Sequence, residues 1–375
     1  MKKVLFLINS LRGGGAERVL VNLVNNLDLS KYDVTVETMY VDGVFHKELR
    51  PEITYFCKHS PCPPGISRIY KFIPASVLYR HFIGKEKYDV LIAYMHGAPV
   101  KVLSGCPDKG AKRIAWLHNG DVQKALFFDF WLSEKKAFRA YDSFHAIAAV
   151  ADSVRSAFEE YTGIRGKTHT VYNTNDFKKI EQMAASGHSF PQGRGLEICA
   201  AGKLAEQKGF DRLIGAAAKL REEGYSFHVS IMGTGAEDYK EQLIKMIRDL
   251  KAEGYVELMG FQSNPFAIMA ASDLYVLSSR WEGLATVLTE ALIVGTPIVA
   301  TDVSGTKEVL GENSEYGLVM PNSEEGIYEG IKRFLDDPGL LEQYRKKASE
   351  RAEFFRPEKT VAQAEKLIDA VIGQD

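Results

Sequence analysis

Cysteine is scarce in this chain of 375 residues: Cys57, Cys62, Cys106 and Cys199 are its whole complement. Their spacings make neither a disulfide framework nor a paired metal-ligand set, and although Cys57 and Cys62 flank His59, a second ligand pair is missing. Reduced thiols in a cytosolic protein are therefore expected. Long apolar runs are absent too; none reaches the roughly 18 residues that a membrane span needs. Val4–Ile8 is too short for a secretory signal and no small-residue cleavage site follows it, so it reads as a first strand. The glycine-rich stretch Arg12-Gly13-Gly14-Gly15-Ala16-Glu17-Arg18 lacks the last glycine of a G-x-G-x-x-G fingerprint. Arg18 stands in its place, which removes the main support for a dinucleotide-dependent dehydrogenase.

What is present is an alternation of strand-like and helix-like segments from end to end, the signature of parallel sheets joined by right-handed crossovers. Strands are expected near 3–9, 33–39, 53–57, 88–93, 112–117, 143–148 and 168–172, and again near 196–201, 226–232, 256–259, 273–277, 297–300 and 316–320. The first long helix should run from Gly15 to Leu27 with Val19, Leu20, Leu23, Val24 and Leu27 on one face. The length suits two doubly wound α/β domains. The expected division is 1–172, then 173–355, with a final helix in about 356–375. The polar stretch from Asn173-Thr174-Asn175-Asp176 to Ser186–Gly193 reads as the linker.

Charge is uneven along the chain. The net charge is −2, but residues 1–172 carry 24 Lys and Arg against 17 Asp and Glu, a net of +7. The excess concentrates in residues 58–87, where Lys58, Arg68, Lys71, Arg80, Lys85 and Lys87 face only Glu86. Tyr70, Phe72, Ile73, Val77, Leu78, Tyr79 and Phe82 are interleaved with them. Such a mixture suits the surface of an anionic membrane, with Tyr70, Phe72 and Tyr79 as shallow anchors. It equally suits an amphipathic helix that covers a sheet, interrupted at Pro74.

The most informative stretch is Glu282-Gly283-Leu284-Ala285-Thr286-Val287-Leu288-Thr289-Glu290. Thr289–Val294 reads as a buried helix closed by Gly295, and the N–H groups of about residues 285–287 form its start. A helix start carries unsatisfied donors and about half a positive charge, so it can hold a diphosphate. Glu290, one turn further in, can accept both hydroxyls of a ribose, which leaves Glu282 for whatever lies beyond the phosphates. Upstream, Gly202-Lys203-Leu204-Ala205-Glu206-Gln207-Lys208-Gly209 follows the strand-like Leu196–Ala201. Two lysines at a strand's C-terminal end are where an open α/β sheet binds ligands.

Taken with Trp116-Leu117-His118-Asn119 and Val171-Tyr172-Asn173, these motifs occur in the order seen in one family. The chain resembles the retaining family-four glycosyltransferases of the glycosyltransferase B fold, over nearly its whole length. The resemblance implies two Rossmann-like parallel-sheet domains facing across a cleft, with the N-terminal domain binding the acceptor and the C-terminal one the nucleotide sugar. The last helix should return to the N-terminal domain. Catalytic roles fall on His118, Lys208 and Glu282. The donor would be held by Gly15, Gly202, Lys203, Lys208, Gly233, Phe261, Glu282, Leu284, Ala285, Thr286, Val287 and Glu290. The family usually has arginine where Lys203 stands, so the bidentate fork is lost there. His96, Arg68, Lys71 and Arg80 are assigned to the acceptor or membrane side.

The function so implied is transfer of a hexose or N-acetylhexosamine from a nucleotide diphosphate sugar, UDP-sugar favoured, to a saccharide acceptor. That acceptor is expected to be lipid-linked and to belong to cell-surface polysaccharide or glycan synthesis. Retention is implied through a front-face route in which the departing phosphate helps to deprotonate the acceptor. A nucleotide-sugar epimerase of the same fold and a non-catalytic sugar-binding module are the alternatives. No cofactor or nucleic acid is expected, and no metal, because the Asp-x-Asp motif of metal-dependent transferases is absent. The location implied is cytoplasmic, peripheral on the inner face of the cytoplasmic membrane.

Overall fold

A computed structural model describes residues 1–12, 14–40, 43–58, 69–119 and 128–373. The chain forms two compact units, Met1–Asn175 with Pro357–Asp375, and Asp176–Arg356.

The first unit is built on a seven-stranded sheet: β1 (Lys2–Ile8), β2 (Tyr32–Thr38), β3 (Thr54–Cys57), β4 (Val90–Ala93), β5 (Lys112–Leu117), β6 (Ala146–Ala149) and β7 (Thr168–Thr170). Every pairing is parallel, in the order β3-β2-β1-β4-β5-β6-β7. Central strands are buried on both faces and so read as continuous apolar runs. β1 is buried from Val4 to Ile8, and β4 and β6 throughout. The edge strand β3 alternates half-buried with exposed. The first helix, Gly15–Asn26, buries Val19, Leu20, Leu23 and Val24, with Leu27 buried at its C-cap.

The second unit has β8 (Leu196–Ala201), β9 (Phe227–Met232), β10 (Val256–Gly260), β11 (Leu274–Leu277), β12 (Ile298–Thr301) and β13 (Leu318–Met320). These also pair in parallel, in the order β10-β9-β8-β11-β12-β13. Its core joins Ile198, Val229, Ile231 and Val276 of the sheet to Leu213, Ile214, Ile327 and Ile331 of flanking helices. In both sheets the chain leaves two adjacent central strands in opposite directions, β1 and β4 in one and β8 and β11 in the other. The loops at their C-terminal ends part there and open a ligand-binding crevice.

Each expected strand forms within a few residues of its expected place. The linker does not. Residues Phe177–Ala184 are a helix of the second unit, capped by the Asp176 side chain, with Phe177 and Ile180 buried. Asn264 fastens the end of this helix by donating to the Met183 carbonyl at 2.8 Å. Its single apolar face is short and flanked by polar residues, which is why the stretch looks like a connector. The helix Pro357–Ile372 belongs to the first unit: the Tyr32 hydroxyl donates to Asp369 at 2.6 Å, and the Thr174 and Thr360 hydroxyls meet at 2.9 Å.

In the basic and aromatic segment an amphipathic helix forms directly after Pro74, as one of the two readings has it, but two of the three expected membrane anchors are not available. Tyr70 and Tyr79 are buried, so neither can anchor in a membrane. Tyr70 packs edge-on against Phe82, and Tyr79 lies on the inner face of helix Ala75–Phe82. Phe72 is 74% exposed, while Ile69 and Val77 are more than half exposed. Buried Lys101 donates to the carbonyls of Tyr70 at 2.6 Å, Lys71 at 3.2 Å and Phe130 at 2.6 Å, which fixes this segment to helix Ala98–Leu103. Arg68, His59 and Cys62 lie outside the described residues.

Candidate active site

In the second unit, the loops after β8 and β11 are sewn together. Gly209 adopts φ +61, and a Cβ there would stand 2.1 Å from the Ser278 carbonyl, so only glycine lets the loops approach this closely. The Ser278 hydroxyl donates to the Lys208 carbonyl at 2.8 Å, and Arg212 donates to the Ser278 carbonyl at 2.6 Å. Arg280 grips Asp211 with both terminal nitrogens, at 2.8 and 2.6 Å, and its backbone N–H donates to Gln207 O at 2.7 Å.

This stitching delivers Lys208 to Glu282. Lys208 Nζ donates to Glu282 Oε1 at 2.6 Å, and the Ser279 hydroxyl donates to the same oxygen at 2.6 Å. Glu282 is only 8% exposed, so its charge is held by a paired cation and a hydroxyl rather than by bulk water. Lys208 runs along Gly202, whose missing Cβ leaves room for its methylenes. Lys203 is exposed on the same loop.

Immediately beyond Glu282, Leu284 and Ala285 are buried and helix Thr286–Ile293 begins. Its N-cap, Ala285, offers no side-chain cap, unlike Asp176, Asn264 and Ser323 at other helix starts. The first-turn N–H groups of Thr286 and Val287 are thus available to an anion. Glu290 is half-buried one turn further in. Gly305, at φ +78, backs this loop, because a Cβ there would meet Gly283 O and Leu284 at 2.8 Å.

The loops after β9 and β10 adjoin the same end of the sheet. Gly233 N donates to Gly260 O at 2.8 Å, and Leu204 N donates to Thr234 O at 2.9 Å. A Cβ on Gly233 would lie 1.8 Å from the Gly202 carbonyl. Phe261 follows β10 and is 75% exposed, a free ring face beside these loops. Gly202, Lys203, Lys208, Gly233, Phe261, Glu282, Leu284–Val287 and Glu290 are therefore on one edge of one sheet. Ser279, Gly305 and the Arg280–Asp211 clamp were not anticipated. Ser279 was the most accessible of these from sequence, as a small hydroxyl residue just past a buried strand.

In the first unit, His96 and His118 follow the neighbouring strands β4 and β5, and Gly15 opens the first helix after β1. Both histidines are half-buried, and Nδ1 of His96 and Nε2 of His118 are enclosed. Burial pushes His96 down to about 4, and burial together with the nearby charge of His96 pushes His118 down to about 3. Both are neutral at physiological pH. Tyr94 stacks obliquely on His118, with ring centroids 4.7 Å apart, and on Trp116 at 5.0 Å. Nε2 of His118 is buried with no hydrogen-bond partner among the described residues. Such an orphan atom marks a place for a ligand or a water.

Two family models match. Residues 13–178 match that described as Glycosyltransferase Family 4, and residues 188–352 that of Glycosyl transferases group 1. The chain belongs to the family-four-like glycosyltransferases of the glycosyltransferase B fold. One curated relative is N-acetylgalactosamine-N,N'-diacetylbacillosaminyl-diphospho-undecaprenol 4-alpha-N-acetylgalactosaminyltransferase of Campylobacter jejuni. It is 26% identical over 98% of this chain and 100% of its own length. Among solved structures, Anabaena HepE in complex with UDP is 19% identical with a TM-score of 0.77, covering 98% of this chain and 100% of its own. A glycosyltransferase of Rickettsia africae is 17% identical with a TM-score of 0.78, covering 100% and 99%. Among the described residues, no helix is long and apolar enough to cross a membrane.

Proposed function

We propose that this glycosyltransferase moves a hexose or N-acetylhexosamine from a UDP-sugar to a lipid-linked saccharide, with retention at the anomeric carbon and without a metal ion. The observation that carries the reading is the Lys208–Glu282 contact at the parting of β8 and β11, next to a helix start that no side chain caps. Positive charge and free N–H groups there converge where a diphosphate would lie.

In this reading Lys208 and Lys203 take up the charge that develops on the leaving diphosphate, and the N–H groups of Thr286 and Val287 hold its oxygens. Because Lys208 and Ser279 both bond Oε1 of Glu282, Oε2 is the oxygen for donor-sugar hydroxyls, beside the N–H groups of Leu284 and Ala285. Glu290 receives the ribose, and Gly233 and Phe261 flank the base. His118, neutral at working pH, offers a hydrogen bond to the sugar rather than a charge, with Gly15 and His96 on neighbouring strand ends. With charge supplied by lysines and a helix start, no metal is required for the leaving group.

Two similar proteins support the substrate class. The Campylobacter relative acts on a diphospho-undecaprenol-linked saccharide and makes an alpha linkage, and HepE binds UDP. An alpha product from the common alpha-linked nucleotide sugars is retention. Lys71 and Arg80, with exposed Phe72, would hold the enzyme at the inner face of the membrane that carries such an acceptor.

The test is to offer UDP-, GDP- and ADP-sugars with an undecaprenyl-diphosphate-linked saccharide and to assign the product's anomeric configuration by proton NMR. UDP should also raise the melting temperature, since it binds only the native state. An inverted product, or no thermal shift with UDP, would overturn the reading; donor turnover without any acceptor would favour the epimerase.

A further inference from the structure

The first unit holds a cavity of about 400 Å³ whose lining includes neither His96 nor His118. It runs along one face of the β1-β2-β3 wing, from Lys3 and Asp33 at the start of the strands to Phe56 and Lys58 at their ends, and residues 83–88 close its other side. The volume is within the usual range of small-molecule sites.

Glu37 of β2 lines this cavity and is only 4% exposed. Its Oε1 is buried with no hydrogen-bond partner among the described residues. A buried carboxylate oxygen without a donor is costly, and in a cavity this large the missing donor can come from a ligand. Burial pushes the carboxyl up to about 7, with Lys58 opposing the shift. Near neutral pH the group is therefore present both as an acceptor and as a donor.

The charges around the cavity do not select an ion. Lys3, Lys58 and Lys87 are matched by Asp33, Glu37 and Glu86. The rest of the lining offers the hydroxyls of Thr35, Thr54 and Tyr88, the aliphatic side chain of Ile83, and the ring of Phe56, which is 52% exposed. Hydroxyl donors and acceptors, balanced charge and one open aromatic face are the recognition chemistry of a neutral polyhydroxylated ring. We infer that this cavity is a secondary saccharide-binding site, in which Glu37 hydrogen-bonds ring hydroxyls and Phe56 supplies the apolar contact.

The experiment is saturation-transfer NMR on the full chain with lactose, maltose and di-N-acetylchitobiose as probes, in saturating UDP. At least one disaccharide should bind the wild type; Glu37→Gln should weaken it about tenfold, since hydrogen bonds to a charged group are the stronger kind, and Phe56→Ala should weaken it through loss of the apolar contact. UDP binding should be unchanged in both variants, which separates a lost site from a lost fold and from failure of the donor assignment. The inference is overturned if no disaccharide binds, or if affinity is equal in wild type and variants. It is also overturned if inorganic phosphate displaces the bound disaccharide, because the cavity would then be an anion site.

Discussion

Replacing Lys208 by Ala should separate two effects that a single activity assay would merge. Lys208 Nζ is one of two donors to Oε1 of Glu282, at 2.6 Å, and Glu282 is 8% exposed against 21% for the lysine. Removing one member of a buried ion pair leaves the other charge uncompensated, which costs about 3–5 kcal/mol when both are fully buried. Ser279 still donates and the lysine is not fully enclosed, so a loss of about 2 kcal/mol is expected. In a unit of this size that lowers its melting temperature by roughly 4–8 °C. Glu282→Gln in the Lys208→Ala background removes the stranded charge and should recover most of the lost stability, as thermal or urea unfolding would report. Turnover should behave otherwise. Loss of one stabiliser of developing charge reduces it by about 10²–10³, and the second substitution cannot restore it. The four proteins form a double-mutant cycle whose stability coupling should be about 1–2 kcal/mol. A cycle with no coupling would refute the electrostatic account of the pair. Near-wild-type turnover in Lys208→Ala would move the leaving-group role elsewhere.

Glu290→Ala should chiefly weaken UDP binding, measured by calorimetry, with less effect on turnover at saturation, because a ribose contact is made equally in ground and transition states. Glu37 should make stability fall as pH rises: its folded value is raised to about 7 above an unfolded one near 4.5, so the native state holds the extra proton between those values. The penalty is absent below about 4.5 and complete above 7, and Glu37→Gln should flatten it by roughly 2–4 kcal/mol in urea titrations at pH 5 and pH 8; an unchanged slope would count against it. Cosedimentation with anionic vesicles should be salt-sensitive and should fall in Phe72→Ser and in Lys71→Glu/Arg80→Glu, whereas indifference of the wild type to such vesicles at low salt would end the membrane proposal.

Much of this architecture was legible because buried parallel strands advertise themselves. Val4–Ile8, Ile114–Leu117 and Ile298–Ala300 are short continuous apolar runs bounded by polar turns, and each is a central strand. The helix after Glu282 was legible for the opposite reason, a polar loop entering a buried run that Gly295 ends. What could not be read was mostly tertiary. Nothing local distinguishes Tyr70 and Tyr79, which face inward, from Phe72, which faces out; helix geometry and Phe82 decide it. The helix Phe177–Ala184 presents too short an apolar face to rise above its polar flanks. The motif gives Lys208 to phosphate, but its pairing with Glu282 depends on a contact across 74 residues that no spacing rule encodes.

The helix Pro357–Ile372 has a consequence for how the molecule is made. It completes the first unit, burying Val361, Ala364, Leu367, Ile368 and Val371, yet it is synthesised after the whole of Asp176–Arg356. The second unit is one uninterrupted stretch and can finish folding while the first still waits for its closing piece. During synthesis the first sheet must therefore persist for about 180 residues with an uncovered apolar flank. Removing residues from 357 onward would strike a domain whose other residues lie at the opposite end of the chain, and would leave the nearer one whole.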